Sequence, residues 1–190
     1  MAAATHSPSS RSGVPADPFV TLGVEPGFEI DLAALERRHR DLSRALHPDR
    51  HQDKSAGARR QALSRAIEVN EAFRNLRDPV LRAEALLRHL GIDAAEGQEP
   101  KASPELLMAV MEGRERLAQA RAAKDGAALS TLAAEVAGEE RKTLAALGEA
   151  FADARQHPSE HRDRLLDLLG RLRYQRRFLE EAALIEEELF

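Results

Sequence analysis

The sequence predicts an all-helical protein. Its 190 residues contain no Trp and a single Tyr, while Ala, Leu, Glu and Arg dominate, which is a composition that favours helices. Apolar residues recur at spacings of three and four in several long segments, and no segment shows the alternation of a half-buried strand. The length is sufficient for one or two small domains, so we expect helical units rather than one large enzyme core.

Charge and cysteine content exclude several classes of protein. The net charge is −4 with 32% charged residues, so a general nucleic-acid or membrane-surface role is disfavoured. The absence of cysteine excludes disulfides, thiolate zinc sites and cysteine nucleophiles. No apolar run approaches the roughly 20 residues of a spanning helix. Residues 1–16 predict a disordered tail, with an organelle-targeting segment as the weaker alternative.

The first half predicts a helical hairpin. After a short helical turn in DPFVTLGV, an amphipathic helix begins at its N-cap Asp31 and is stopped by Pro48. Its apolar stripe is Leu32, Leu35, His39, Leu42 and Leu46. A second helix follows a polar loop and has the stripe Ala62, Ala66, Val69, Phe73 and Leu76. Two antiparallel helices with facing stripes can bury each other.

The rest of the chain predicts a short helix and then a bundle. A short helix follows Asp78-Pro79 in the segment VLRAEALLRHLG, and Gly91 caps its end. Residues 92–102 have the composition of a linker. Ser103-Pro104 starts a helix to about Ala123. Turns at Asp125-Gly126 and His157-Pro158 separate a helix to about Gln156 from a last helix. Three helices with short connections predict an up-down-up bundle over residues 103–190.

The tripeptide His47-Pro48-Asp49 lies between the two hairpin helices. Pro48 restricts the loop backbone, and Arg37, Arg40 and Arg44 form a stripe opposite the apolar face of the preceding helix. A rigid polar loop beside a cationic stripe is a suitable docking surface for an acidic partner. The alternative is that the arginines form an ordinary solvated face.

These residues resemble a J-domain over about 17–78. The resemblance rests on DPFVTLGV, on His47-Pro48-Asp49 followed by Arg50, and on VNEAFRNLRDP. It implies that the loop docks on the ATPase domain of a DnaK-type chaperone and stimulates ATP hydrolysis, with Arg40, Arg44 and Arg50 as electrostatic contacts. His39 and Leu46 stand where the family often has aromatic residues. We expect His39 to be a partly buried core histidine rather than a ligand or pH switch.

LRAEALLRHLG and LLMAVMEGRERL extend the resemblance to the HscB-like co-chaperones of iron-sulfur cluster assembly. This implies a J-domain over 17–91 and a bundle over 103–190. On the helix after Pro104, the predicted core face consists of Leu106, Val110, Gly113, Leu117 and Ala120. A helical wheel places Tyr174 opposite the last helix's core stripe of Leu165, Leu168, Leu172 and Leu179, with Phe178 and Ile185 near Tyr174.

The family's scaffold-binding surface, carried over to this sequence, is Leu107, Met108, Met111, Glu112, Glu115 and Tyr174. Apolar residues on the non-core side of a helix indicate a contact, and methionine suits an adaptable interface. The alternative is that Leu107 and Met111 pack on the first domain or on a neighbouring helix.

The expected function is a co-chaperone that stimulates a DnaK/HscA-type chaperone and delivers the iron-sulfur scaffold protein to it. It would not be an enzyme, and we expect no cofactor, metal, nucleic acid or membrane partner. The sequence has no phosphate-binding GxxxxGK[ST] loop, so it should not hydrolyse ATP itself. A general J-domain protein with a different client is the alternative, and an enzyme with a helical active site is a further rival. The lack of an N-terminal zinc-binding cysteine motif favours a bacterial cytoplasmic protein over one of the mitochondrial matrix.

Overall fold

A computed structural model of the chain describes residues 16–93 and 104–189. The described residues form seven α-helices and no strand, which confirms the all-helical prediction. The helices are α1 (Pro18–Leu22), α2 (Leu32–Ala45), α3 (Ala56–Arg77), α4 (Pro79–His89), α5 (Pro104–Ala123), α6 (Gly126–Asp153) and α7 (Pro158–Leu189). None of these helices is long and apolar enough to cross a membrane.

Local capping sets the ends of the helices in the first half. The Asp17 carboxylate accepts from the Phe19 amide at 2.8 Å, and Asp31 accepts from the Ala34 amide at 3.0 Å. Gly23 ends α1 with φ 63°, a left-handed conformation that disfavours residues with a Cβ. Each helix therefore begins or ends where the sequence supplies a partner for an otherwise free backbone group.

The predicted hairpin consists of α2 and α3. Its interior includes Leu35 from α2 and Val69 and Leu76 from α3, all buried. Phe19 and Leu22 of α1 are fully buried against this hairpin. Leu32 is the exception in the α2 stripe, because it lies at the helix start and remains 46% exposed.

The helices α5, α6 and α7 form the predicted bundle. Lys124, with φ 51°, makes the left-handed turn before α6, and Asp125 caps that helix by accepting from the Ala128 amide at 2.9 Å. The predicted helix to Gln156 ends at Asp153. Ser103, predicted to cap α5, lies outside the described residues, as do residues 1–15 of the predicted tail.

The hydrophobic interior of the described residues has two parts. The first cluster joins α1–α4 to the C-terminal part of α6 and the N-terminal part of α7. The second cluster joins α5 to the other ends of α6 and α7. Ile92 is buried in the first cluster, although the composition of residues 92–102 predicted that it belongs to the linker. Residues 94–102 of that predicted linker lie outside the described residues.

Specific contacts fix the first four helices on the bundle. Phe28, in the segment before α2, stacks on Phe151 of α6 with 5.4 Å between ring centroids. The Arg173 guanidinium of α7 donates to the Glu84 carboxylate of α4 at 2.8 Å, with the arginine side chain only 12% exposed. The orientation of the first four helices relative to α6 and α7 is therefore set by packing and by a mostly buried ion pair.

Candidate functional site

The segment His47-Pro48-Asp49, here called the docking loop, projects from the end of the α2–α3 hairpin. The His47 carbonyl accepts from the Arg50 amide at 3.0 Å within a 3₁₀ turn over Pro48–His51. The His47 Nδ1 atom accepts from the Asp49 amide at 3.3 Å. The two side chains are 59% and 73% exposed, so a fixed backbone presents an imidazole and a carboxylate to solvent.

The basic face of α2 lies beside the docking loop. Arg40 is 3.8 Å from Glu36 in an exposed pair, and Arg44 and Arg50 are also exposed. An exposed ion pair contributes little to stability, so these guanidinium groups remain available to an acidic surface. The structure thus brings Arg40, Arg44 and Arg50 to the same end of the hairpin as the docking loop.

His39 is partly buried between α2 and α3. Its ring stacks on Phe73 at 4.2 Å between centroids with an angle of 14° between planes. Its Nε2 atom lies within hydrogen-bond distance of the Asn70 Oδ1 atom, at 2.9 Å, and of the Ser43 Oγ atom, at 3.4 Å. The expectation of a partly buried core histidine is confirmed, and Leu46 packs against the same core cluster.

Three apolar side chains on α5 face solvent. Leu107, Met108 and Met111, here called the apolar face of α5, are 52%, 71% and 72% exposed. The alternative in which Leu107 and Met111 pack within the chain is therefore wrong for the described residues. Glu112 and Glu115 are exposed as well, so the apolar face has an acidic rim.

Tyr174 lies under α5 and not on an open surface. It is partly buried against the second cluster, with its ring centroid 6.0 Å from that of Phe178. Burial raises the pKa of the Tyr174 hydroxyl above its usual value. Gly113 makes room for it, because a Cβ there would lie 2.8 Å from the Tyr174 hydroxyl oxygen. Tyr174 therefore packs under α5 at Gly113, on the core side of that helix.

The predicted core stripe of α7 is wrong in its second half. Phe178 and Ile185, predicted to lie near Tyr174 away from the core, are buried, whereas Leu168 and Leu179 are only partly buried. The physical reason is that α7 changes neighbours along its length, from α4 and α6 to α5 and α6. One helical wheel cannot represent two different packing environments.

Sequence reasoning missed Gln175, which is buried between Leu172 and Phe178 in the interior stripe of α7. A glutamine at the spacing of core residues was the available indication. Within the described residues, no group of three or more His, Asp or Glu side chains could hold a metal ion.

Comparison with known proteins gives a consistent result. Residues 102–183 match the family model described as the HSCB C-terminal oligomerisation domain. A co-chaperone protein HscB homologue from Neisseria meningitidis is 38% identical over 134 residues, which cover 70% of this chain and 81% of the homologue. The chain belongs to the HscB co-chaperone family.

Two solved HscB structures share the fold. The chaperone HscB from Vibrio cholerae has a TM-score of 0.77 at 30% identity, covering 92% of this chain and 99% of that protein. Human co-chaperone protein HscB has a TM-score of 0.79 at 24% identity, covering 92% of this chain and 84% of that chain. The architecture of a helical J-domain with a C-terminal helical bundle is thereby confirmed.

Proposed function

We propose that this HscB-family co-chaperone stimulates ATP hydrolysis by a DnaK/HscA-type chaperone and delivers the iron-sulfur cluster scaffold protein to it. The observation that carries the proposal is the presence of two exposed interaction surfaces on one packed framework. The docking loop lies at the end of the α2–α3 hairpin, and the apolar face lies on α5. The chain acts in this proposal as a regulator and performs no catalytic step.

The chaperone-binding part of the proposal uses the docking loop and the basic residues Arg40, Arg44 and Arg50. The cationic groups steer an acidic chaperone surface toward the hairpin, and the exposed loop makes the specific contact. Asp49 is held by the loop itself, since it accepts from the Gln52 side chain at 3.2 Å. The loop is thus ordered before the chaperone arrives.

The scaffold-binding part uses the apolar face of α5 together with Glu112, Glu115 and Tyr174. Methionine side chains adapt to a partner's shape, and the acidic rim selects a surface with basic groups. Tyr174 supports α5 from below at Gly113, so it holds the apolar face in position.

The mechanism is a bridge between client and chaperone. We propose that residues 17–91 form the J-domain and residues 103–190 the scaffold-binding bundle, joined through 92–102. The Phe28–Phe151 stack and the Arg173–Glu84 ion pair restrict the distance between the two surfaces. Holding both partners on one framework raises the effective concentration of scaffold beside the chaperone when ATP is hydrolysed.

His47→Gln tests the docking loop. We expect stimulation of the chaperone's ATPase to be lost while scaffold affinity stays unchanged, because the two surfaces lie on different helices. His157→Gln is the matched control, since His157 is an exposed histidine in the turn before α7. Equal stimulation by His47→Gln and wild type would refute the loop assignment.

A second candidate is self-association through α5. The description of the matched family model as an oligomerisation domain, together with the exposed apolar face, favours it. Analytical ultracentrifugation with and without scaffold separates the candidates. A dimer that scaffold dissociates would show that both partners use the apolar face, whereas a monomer at all concentrations would exclude self-association.

A bacterial cytoplasmic location also remains a proposal, supported by bacterial relatives such as that of Neisseria meningitidis.

A further inference from the structure

A polar pair interrupts the otherwise apolar seam between α6 and α7. The buried stripe of α7 runs through Leu172, Gln175 and Phe178, and α6 contributes the buried Thr143. Gln175 is 9% exposed and Thr143 is 7% exposed. The pair lies between the two hydrophobic clusters, where apolar side chains would be expected to continue.

The Gln175 side chain carries a buried acceptor that nothing in the described chain satisfies. Its Oε1 atom has no hydrogen-bond partner among the described residues. Thr143 does not supply one, because its hydroxyl donates to the Glu139 carbonyl at 3.1 Å. Leaving a buried acceptor unpaired is unfavourable, so a donor brought to this position by a partner would stabilise it.

Gln175 lines a groove of about 360 Å³ between α5, α6 and α7, here called the acceptor groove. Its lining includes four carboxylates, listed as Glu105, Glu112, Glu135 and Glu139. Two arginines also line it, and each is paired with a carboxylate: Arg116 donates to Glu135 at 2.8 Å, and Arg171 donates to Asp167 at 2.8 Å. Glu139 also has a partner, because it accepts from the exposed Lys142 at 2.7 Å. The groove therefore has more acceptors than donors and an excess of negative charge.

We propose that the acceptor groove binds the guanidinium group of an arginine presented by the scaffold protein. This inference rests on the proposed function, because it assumes that the scaffold docks on α5. A guanidinium has five donors and no acceptor, so it can pair with Gln175 Oε1 and with carboxylates on two other helices at once. Leu106 and Val136 in the lining suit the aliphatic part of the arginine side chain.

Glu112 connects the acceptor groove to the apolar face. It lines the groove and directly follows Met111 in α5. A scaffold segment lying on Leu107, Met108 and Met111 can therefore extend an arginine around the edge of the helix. The proposed contact adds charge and hydrogen-bond specificity to an otherwise apolar interface.

The first test needs no scaffold. Titration of the ¹⁵N-labelled full chain with N-acetyl-arginine amide is compared with titration by the neutral isostere N-acetyl-citrulline amide. We expect saturable shifts of the Gln175 side-chain amide and of neighbouring groove residues with arginine, at a Kd on the order of 10 mM, from charged hydrogen bonds alone. Equal responses to both compounds, or no saturable response at the groove, would overturn the proposal.

The second test uses the cognate scaffold and calorimetry. Gln175→Leu removes the buried acceptor, and Glu139→Gln replaces a negative charge with a neutral amide. Each should weaken scaffold binding by about tenfold, since a guanidinium pairs more weakly with what remains. Gln156→Leu and Glu149→Gln are the matched controls, because both residues are exposed and lie outside the groove lining. Circular dichroism and thermal unfolding of all four variants test whether the fold is retained.

The outcomes separate this inference from the proposed function. If wild type binds scaffold, Met111→Ala weakens binding and Gln175→Leu does not, the groove proposal is overturned and the proposed function stands. If wild type does not bind scaffold, the proposed function fails, and with it the scaffold as the source of the arginine. The arginine titration then still decides whether the groove binds a guanidinium group.

Discussion

Met111→Ala is expected to weaken scaffold binding without destabilising the protein. Burying a side chain of this size contributes about 1.5–3 kcal/mol. Since Met111 is 72% exposed in the free chain, most of that area is available to a partner. We therefore expect a loss of about 1–2 kcal/mol on truncation, or roughly 5- to 30-fold in Kd. The free energy of unfolding should change by less than about 0.5 kcal/mol, as for other exposed positions.

Leu117→Ala, on the opposite side of the same helix, is the matched comparison. Leu117 is 2% exposed and belongs to the second cluster, so its truncation should cost about 2–5 kcal/mol in unfolding free energy. Urea denaturation and calorimetry with scaffold measure the two effects on each variant. A large loss of stability in Met111→Ala, or unchanged scaffold affinity, would refute the assignment of the apolar face.

Three further predictions concern the packing that positions the two surfaces. Alanine is favoured over glycine inside a helix, but a Cβ at position 113 would lie 2.8 Å from the Tyr174 hydroxyl oxygen. Gly113→Ala should therefore give no gain in unfolding free energy in wild type and a gain of about 1 kcal/mol in a Tyr174→Phe background. A double-mutant cycle by urea denaturation measures this difference. Phe28→Ala should cost about 3–5 kcal/mol in unfolding free energy through loss of the stack on Phe151, and a cost below about 1 kcal/mol would contradict that packing. Burial raises the folded-state pKa of Tyr174 above its unfolded value near 10.0, so the stability that the neutral hydroxyl contributes is present below that pH and is lost as pH rises through the folded-state pKa. The free energy of unfolding of Tyr174→Phe should therefore fall less steeply with pH in the alkaline range than that of wild type. Identical pH profiles of the two proteins would exclude the effect.

The first half of the fold could be predicted from sequence because the buried residues of its four helices belong to a single hydrophobic cluster. The α2 stripe apart from Leu32 and the N-cap Asp31 follow from local rules, and the structure confirms them. The docking loop was predicted to be constrained because Pro48 follows the helix directly, and the structure shows the additional turn that holds Asp49.

The bundle was less predictable because α6 and α7 are shared between two hydrophobic clusters. The wheel for α7 placed Phe178 and Ile185 outside, although both are buried beneath α5. The length and angle at which α5 crosses α7 decide which residues are covered, and neither quantity is encoded in periodicity alone. The exposed character of Leu107, Met108 and Met111 was predicted correctly because a single core face accounts for the rest of α5.

Gln175 and the position of Tyr174 required the three-dimensional arrangement. In sequence, Gln175 is an ordinary polar residue of a charged helix. In the folded chain, Gln175 lines a groove together with Thr143 and residues from the start of α5, and this arrangement cannot be seen in the sequence. Polar residues at core spacing are therefore worth testing as contact positions when neighbouring helices leave space beside them.

Single-turnover ATP hydrolysis by the cognate DnaK/HscA-type chaperone tests the central proposal most directly. The full chain is added with and without the scaffold protein, and His47→Gln serves as the inactive reference. The proposal predicts stimulation by the chain alone and a further increase when scaffold is present. Stimulation that does not respond to scaffold would contradict the bridging mechanism, and no stimulation at all would contradict the assignment of the docking loop.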